Sequence, residues 1–148
     1  MKALVQRVSS ACVRVGGETV GAIGRGLCVL VGVAAGDSGE DVDYLVNKLV
    51  NLRIFTDETG KFNLSVADIA GQMLLVSQFT LIADTRKGRR PSFTGAAPPE
   101  EAEAMFENFV QACRRSGVET QTGRFKAMML VKINNDGPVT IMLDSRER

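Results

Sequence analysis

The chain is 148 residues long, 45% hydrophobic and 24% charged, a mixture that suits one domain burying roughly two thirds of its unfolded surface and excludes a disordered chain. Lys and Arg number 18 against 17 Asp and Glu, for a net charge of +1, so a nucleic-acid partner must be held by a local patch rather than a global field. Histidine is missing altogether, which excludes Ser-His-Asp and Cys-His nucleophiles and any His-ligated metal.

The opening segment, Met1-Lys2-Ala3-Leu4-Val5-Gln6-Arg7-Val8, is broken by charge too early for a signal peptide. No later apolar run reaches bilayer length, so a cytoplasmic protein with no membrane partner is expected. β-rich segments at residues 4–8, 11–15 and 19–23 lead to a near-continuous apolar run at 27–33, with Gly16-Gly17 and Gly24-Arg25-Gly26 as turn signals. This pattern predicts antiparallel strands feeding a central strand buried on both faces, the start of a curled sheet. Asp37 or Ser38 can then cap a helix over residues 40–52, where Val42, Leu45, Val46 and Leu49 fall at helical spacing.

Residues 53–56 and 61–63 flank Asp57-Glu58-Thr59-Gly60, a hairpin signal. A strand is predicted over 72–81, and a polar surface loop over 86–98, bounded by Pro91 and Pro98. Pro98-Pro99-Glu100-Glu101 opens a second helix, and Arg114-Arg115 with Gly117 closes it, charges matching the macrodipole at both ends. Its buried stripe should be Ala102, Met105, Phe106, Phe109 and Cys113. Strands at 127–133 and 139–143, joined by a turn at 134–138, and a frayed tail from 144 complete an α/β (α+β) fold. Its expected core is barrel-like, made of curled, mostly antiparallel sheets with two main helices, in one domain over 1–148. Cys12, Cys28 and Cys113 lie far apart among small or apolar neighbours, so buried free thiols are expected, and neither a disulfide framework nor a metal.

Two strings carry the candidate chemistry. In Ser77-Gln78-Phe79-Thr80-Leu81, strand alternation would put Ser77 and Phe79 on one face and Gln78 and Thr80 on the other. Either the hydroxyls simply satisfy nearby backbone, or the strand ends at a cleft where amides near Gln78 and Phe79 stabilise an oxyanion while Thr80 positions water or substrate. Asn135-Asp136-Gly137-Pro138-Val139-Thr140 is a turn on either of two readings. One is a plain corner opening the last strand; the other is a cis Gly-Pro bond that presents the Gly137 and Pro138 carbonyls as a rigid pair of acceptors. Arg86-Lys87-Gly88-Arg89-Arg90 is the one basic patch.

The strings Ser77 to Leu81 and Asn135 to Thr140, with Arg90-Pro91-Ser92-Phe93 and Thr120-Gln121-Thr122-Gly123-Arg124-Phe125, stand in the order and spacing of the D-aminoacyl-tRNA deacylases, which the whole chain resembles. The resemblance implies a homodimer, without cofactor, that hydrolyses the ester between a D-amino acid or glycine and the terminal ribose of tRNA, sparing L-esters. It also implies that a cis Gly137-Pro138 unit enters the partner subunit's site to reject L side chains. Arg7 either braces that unit or is a sheet-edge cation. The resemblance further implies that the ribose 2′-hydroxyl assists water, with the Ser77, Gln78, Phe79 and Thr80 segment around the reacting carbonyl and Thr80 in a positioning role. Phe79 and Phe93 face the terminal adenine or the core, and Arg86, Lys87, Arg89 and Arg90 become phosphate contacts. A non-catalytic module that binds the tRNA end, and an esterase or amidase of free D-amino acid derivatives, are the rival readings.

Overall fold

The structure is a computed structural model describing all 148 residues, Met1–Arg148. The alternation that begins at Lys2 continues to Val15 as one strand, β1 (Lys2–Val15), where the sequence pattern reads two. Odd-numbered residues are buried in both segments but face different cores: Ala3 and Val5 point to one, whereas Ala11 and Val13 join the even-numbered Val8 in the other. An irregularity in pairing around Val8 and Ser10 makes the switch, as a β-bulge does by adding a residue to one strand only.

β2 (Glu18–Ile23) and β3 (Gly26–Gly32) both pair antiparallel with β1. β3 is the expected doubly buried strand: Leu27, Val29 and Val31 face the helices, and Cys28 faces the sheet interior. Helix α1 (Gly39–Asn51) starts after Ser38, whose backbone N–H donates to Asp41 Oδ2 at 2.8 Å, and buries the predicted Val42, Leu45, Val46 and Leu49. The short hairpin β4 (Phe55–Thr56) and β5 (Phe62–Leu64) follows as expected.

β6 (Gln72–Ser77) runs parallel to β3, and β7 (Glu119–Thr122) runs parallel to β6. Parallel neighbours need long crossovers, and the one before β7 is supplied by helix α2 (Pro99–Arg115). Alternate residues of β6 again divide, Met73 and Leu75 toward the helices and Leu74 and Val76 inward. The curled sheet nearly closes where Gly21 of β2 abuts the Thr122 carbonyl of β7. α2 buries Ala102, Phe106, Phe109, Val110 and Cys113, with Met105 only half-buried because it sits at the margin of the stripe.

Four further expectations are corrected. The strand predicted over 72–81 ends at Ser77, and Phe79–Ile82 forms a single 3₁₀ turn. Alternation therefore does not relate Ser77 to Phe79. The cause is tertiary: pairing with β3 stops at Val31, and Gly32 leaves room for the chain to fold back, since a Cβ there would lie 3.1 Å from the Gln78 carbonyl oxygen. Residues 119–122, expected only as part of a motif, form β7. The two final strands and their hairpin are one strand, β8 (Leu130–Asp144), paired with β1 along its length. Its tail is docked rather than frayed: Ser145 is buried, its N–H donating to the Met1 carbonyl at 2.9 Å, and Arg148 pairs with Asp41 at 3.4 Å.

Candidate active site

β3, β6 and β7 run in the same direction, so their carboxyl ends open on one side of the sheet. That is where open parallel sheets form ligand crevices, and a cavity of about 760 Å³ lies there. Val33 follows β3, Val76 and Ser77 end β6, and Phe125 to Met129 follow β7. The opposite wall, from Phe93 to Pro99, is pinned to the end of β3 by Ala35 N–H to the Gly95 carbonyl at 2.9 Å and Ala97 N–H to the Val33 carbonyl at 3.0 Å. Phe79 and Phe93 meet edge to face at the mouth, ring centroids 4.9 Å apart. No carboxylate or thiol lines the cavity, and Lys126 is its one charged residue.

Ser77, Gln78, Phe79 and Phe93 line this cleft. Thr80 is exposed and outside the lining, its hydroxyl accepting a short hydrogen bond from the Gln78 side-chain amide. The Gln78 backbone N–H is already spent on the Val31 carbonyl at 2.8 Å. The open amides are therefore those of Phe79 and Thr80, which begin the 3₁₀ turn and have no intrahelical acceptor behind them.

The Gly-Pro corner lies elsewhere. Between Gln6↔Thr140 and Val8↔Asn135 the register of β8 shifts by three residues, so Asp136 to Val139 bulge out opposite Arg7. Gly137 and Pro138 are exposed, absent from the cleft lining, and joined by a cis bond. Gly137 has φ +126°, and a Cβ there would meet Val139 Cγ2 at 2.9 Å and Arg7 Nη2 at 3.1 Å, so only glycine fits. Arg7 is buried beneath the corner, Nε donating to the Asp136 carbonyl at 3.2 Å and Nη1 to the Ile54 carbonyl at 2.8 Å. Its guanidinium also lies 5.4 Å from the Phe62 ring centroid. Asn135 adds a second brace, its Oδ1 accepting from Val139 N–H at 2.9 Å.

The basic run sits on a loop closed at its base by Asp84 and Ser92, whose N–H and C=O groups pair at 2.7 and 2.8 Å. Arg86 is committed to Asp84 at 2.7 Å, and the hydrogen bonds from its guanidinium and backbone hold that carboxyl at about 2. Lys87, Arg89 and Arg90 are exposed and form no ion pair. Burial pushes the Cys28 and Cys113 thiols up to about 12, so neither forms a thiolate near neutral pH. Lys126 is the one cleft residue with a charge that sequence reasoning passes over; its signal is a second cation, after Arg124, in the turn that follows Gly123.

Fold and cleft together define a class: a small curled-sheet protein presenting an apolar cavity rimmed by backbone donors rather than an acid–base dyad. The family model described as D-Tyr-tRNA(Tyr) deacylase matches residues 4–144, and the chain belongs to that family. It is 64% identical over 148 residues to a D-aminoacyl-tRNA deacylase of Dehalococcoides mccartyi, covering 100% of this chain and 97% of the relative. A D-aminoacyl-tRNA deacylase of Roseiflexus sp. is 59% identical over 145 residues, covering 98% and 94% of the two chains. Among solved structures, the c-Myc DNA Unwinding Element Binding Protein superposes with TM-score 0.92 at 46% identity, covering 97% of this chain and 98% of that one. A probable eukaryotic D-amino acid tRNA deacylase shares the fold at TM-score 0.83 and 19% identity, over 96% and 97% of the chains. The resemblance drawn from the four motifs is borne out.

Proposed function

We propose that this chain hydrolyses the ester between a D-amino acid and the terminal ribose of tRNA, sparing the L-ester, and that glycine on the same tRNA end is also accepted. The observation that carries this reading is the cleft, which offers an apolar bed and backbone donors but no side-chain base. An aminoacyl ester is already activated, so orientation and oxyanion stabilisation are the main requirements. The terminal adenine lies against Phe79 and Phe93, as bases do on aromatic rings. The ribose 2′-hydroxyl assists a water whose oxygen attacks the carbonyl carbon. The N–H groups of Phe79 and Thr80 receive the developing oxyanion, the ester C–O bond breaks, and the ribose oxygen leaves with a proton.

Chirality is judged by a second copy of the chain. The exposed corner of one protomer enters the other's cleft, and the carbonyls of Gly137 and Pro138 occupy the space an L side chain would need. A D side chain points outward and goes unread. Two features support pairing: the corner lies outside its own cleft, and β8 pairs on one edge only while exposing Leu130 and Met142. Lys87, Arg89 and Arg90, with Arg86 behind them, contact phosphates of the acceptor stem. The reaction belongs in the cytoplasm, beside charged tRNA.

Purified protein without added metal should deacylate D-aminoacyl-tRNA and leave the L-form intact, with sedimentation reporting a dimer. Equal rates on both enantiomers, or full activity as a monomer, overturn the chiral mechanism. A substrate with a 2′-deoxy terminal ribose should be inert, and Thr80→Val should lose less than about tenfold in rate; the reverse pattern moves catalysis to the Thr80 hydroxyl. Binding without hydrolysis, or hydrolysis of free D-esters at an equal rate, would favour the rival readings.

A further inference from the structure

Residues 124–127 form a turn closed by Ala127 N–H donating to the Arg124 carbonyl at 3.2 Å. Lys126 sits at its third position with φ +63°, where glycine is the low-strain choice. Nothing local repays that backbone: Lys126 is exposed, makes no ion pair, and its side chain caps no carbonyl. What the position does provide is placement. It puts a long, flexible cation on the lip of a cavity whose other lining residues are uncharged. A neutral purine nucleoside would fill such a cavity without needing a cation. A nucleotide would need one, because its phosphate emerges from the apolar bed at the mouth.

We propose that Lys126 is a specificity-determining residue that binds the 5′-phosphate of the terminal nucleotide, so that the cleft reads a nucleotide rather than a nucleoside. This rests on the reading of the cleft as the seat of the terminal adenosine, and it deepens that reading. The phosphate contact fixes the polynucleotide direction at the mouth and separates a tRNA end from a free amino acid ester. The ammonium is suited to the task as a point charge with three rotatable donors that can follow a phosphate on a mobile strand.

The test uses binding of AMP and adenosine to the intact protein, measured by calorimetry or ligand-detected NMR, and so is independent of turnover. Wild type should bind AMP about tenfold more tightly than adenosine, the usual scale of one charge-assisted hydrogen bond. Lys126→Gln should abolish that ratio while leaving adenosine affinity unchanged, and Lys126→Arg should keep most of it. Lys126→Gly should abolish it too, even though glycine relaxes the turn, which separates charge from backbone strain. Equal affinities in wild type, or a ratio that survives Lys126→Gln, overturn the proposal. Equal weakening of AMP and adenosine also overturns it, because the side chain would then be shaping the cavity. An enzyme that shows the ratio but does not hydrolyse the D-ester would retain this assignment and lose the proposed function.

Discussion

The cleft and the Gly137-Pro138 corner are built by different forces. The cleft wall is an extension of the core: Val33, Ala102 and Val76 belong to the same buried clusters that hold the helices and sheet together. Its energy scales with apolar area and is non-directional, so moderate changes of shape are tolerated. The corner has almost no apolar support. Arg7 from below and Asn135 from the foot of the bulge hold it through directed hydrogen bonds to main-chain groups, and each depends on angle and distance. An apolar surface is made by burial, whereas the Asp136 carbonyl beside the corner is held by a buried guanidinium. The proposed function assigns affinity to the cleft and geometry to the corner.

The sharpest way to break that division is Arg7→Ala. It leaves the Ile54 and Asp136 carbonyls without their donor and removes the ring contact with Phe62. The ion pair with Asp136 adds little because that carboxylate is 57% exposed. Losing two charge-assisted hydrogen bonds at a buried site should cost about 2–4 kcal/mol, read as a lower urea midpoint. Deacylation of the D-ester should fall by at least about a hundredfold, the scale of a misplaced positioning group. Arg7→Lys should rescue little, since an ammonium does not span both carbonyls as a guanidinium fork does. Wild-type stability with wild-type activity in Arg7→Ala would show that the corner is held by something else.

Gly137→Ala is the next probe, and it leaves Arg7 in place. The added Cβ collides with Val139 Cγ2 at 2.9 Å in a backbone conformation of φ +126° that L residues avoid. The penalty should be about 1–3 kcal/mol, taken mostly by local displacement of the corner because the site is exposed. Global stability should therefore move less than in Arg7→Ala, while the ratio of D to L hydrolysis collapses. An unchanged ratio with a displaced corner would remove the corner from chiral selection.

What was legible in the chain follows the same line. The helices are legible because their signals are local: proline and glutamates open α2, two arginines close it, and its stripe repeats at helical spacing. The buried run of β3 is legible for the same reason. Three features are not. The end of β6 at Ser77 depends on where a parallel neighbour stops, some 46 residues earlier at Val31. The bulge in β8 looks like a hairpin because Asn135 to Pro138 carries every local turn signal, yet β1 pairs with both sides of it. The hydrogen bond from Arg7 to Asp136 spans 129 residues, and no periodicity announces it. The cleft residues Ser77 to Phe79 are legible as a motif, whereas the role proposed for Lys126 depends on a backbone angle. Local chemistry is read directly from sequence; long-range pairing decides which local signals are used.

The smallest expected effect comes from the cleft side, and it tests the division from the other direction. Phe93 is half-buried and packs edge to face on Phe79. Phe93→Leu preserves apolar character and most of the area while losing the aromatic pair, so stability should change by less than about 1.5 kcal/mol. The KM for D-aminoacyl-tRNA should rise by about threefold to tenfold through weaker stacking on the base, with kcat little altered because the proposed oxyanion donors are main-chain groups of Phe79 and Thr80. The D to L ratio should stay at its wild-type value. That invariance is the decisive reading: a variant that binds weakly but still discriminates fully leaves handedness to the corner. If Phe93→Leu hydrolyses the L-ester, the cleft wall itself takes part in rejecting the wrong enantiomer, and affinity and geometry are not separate.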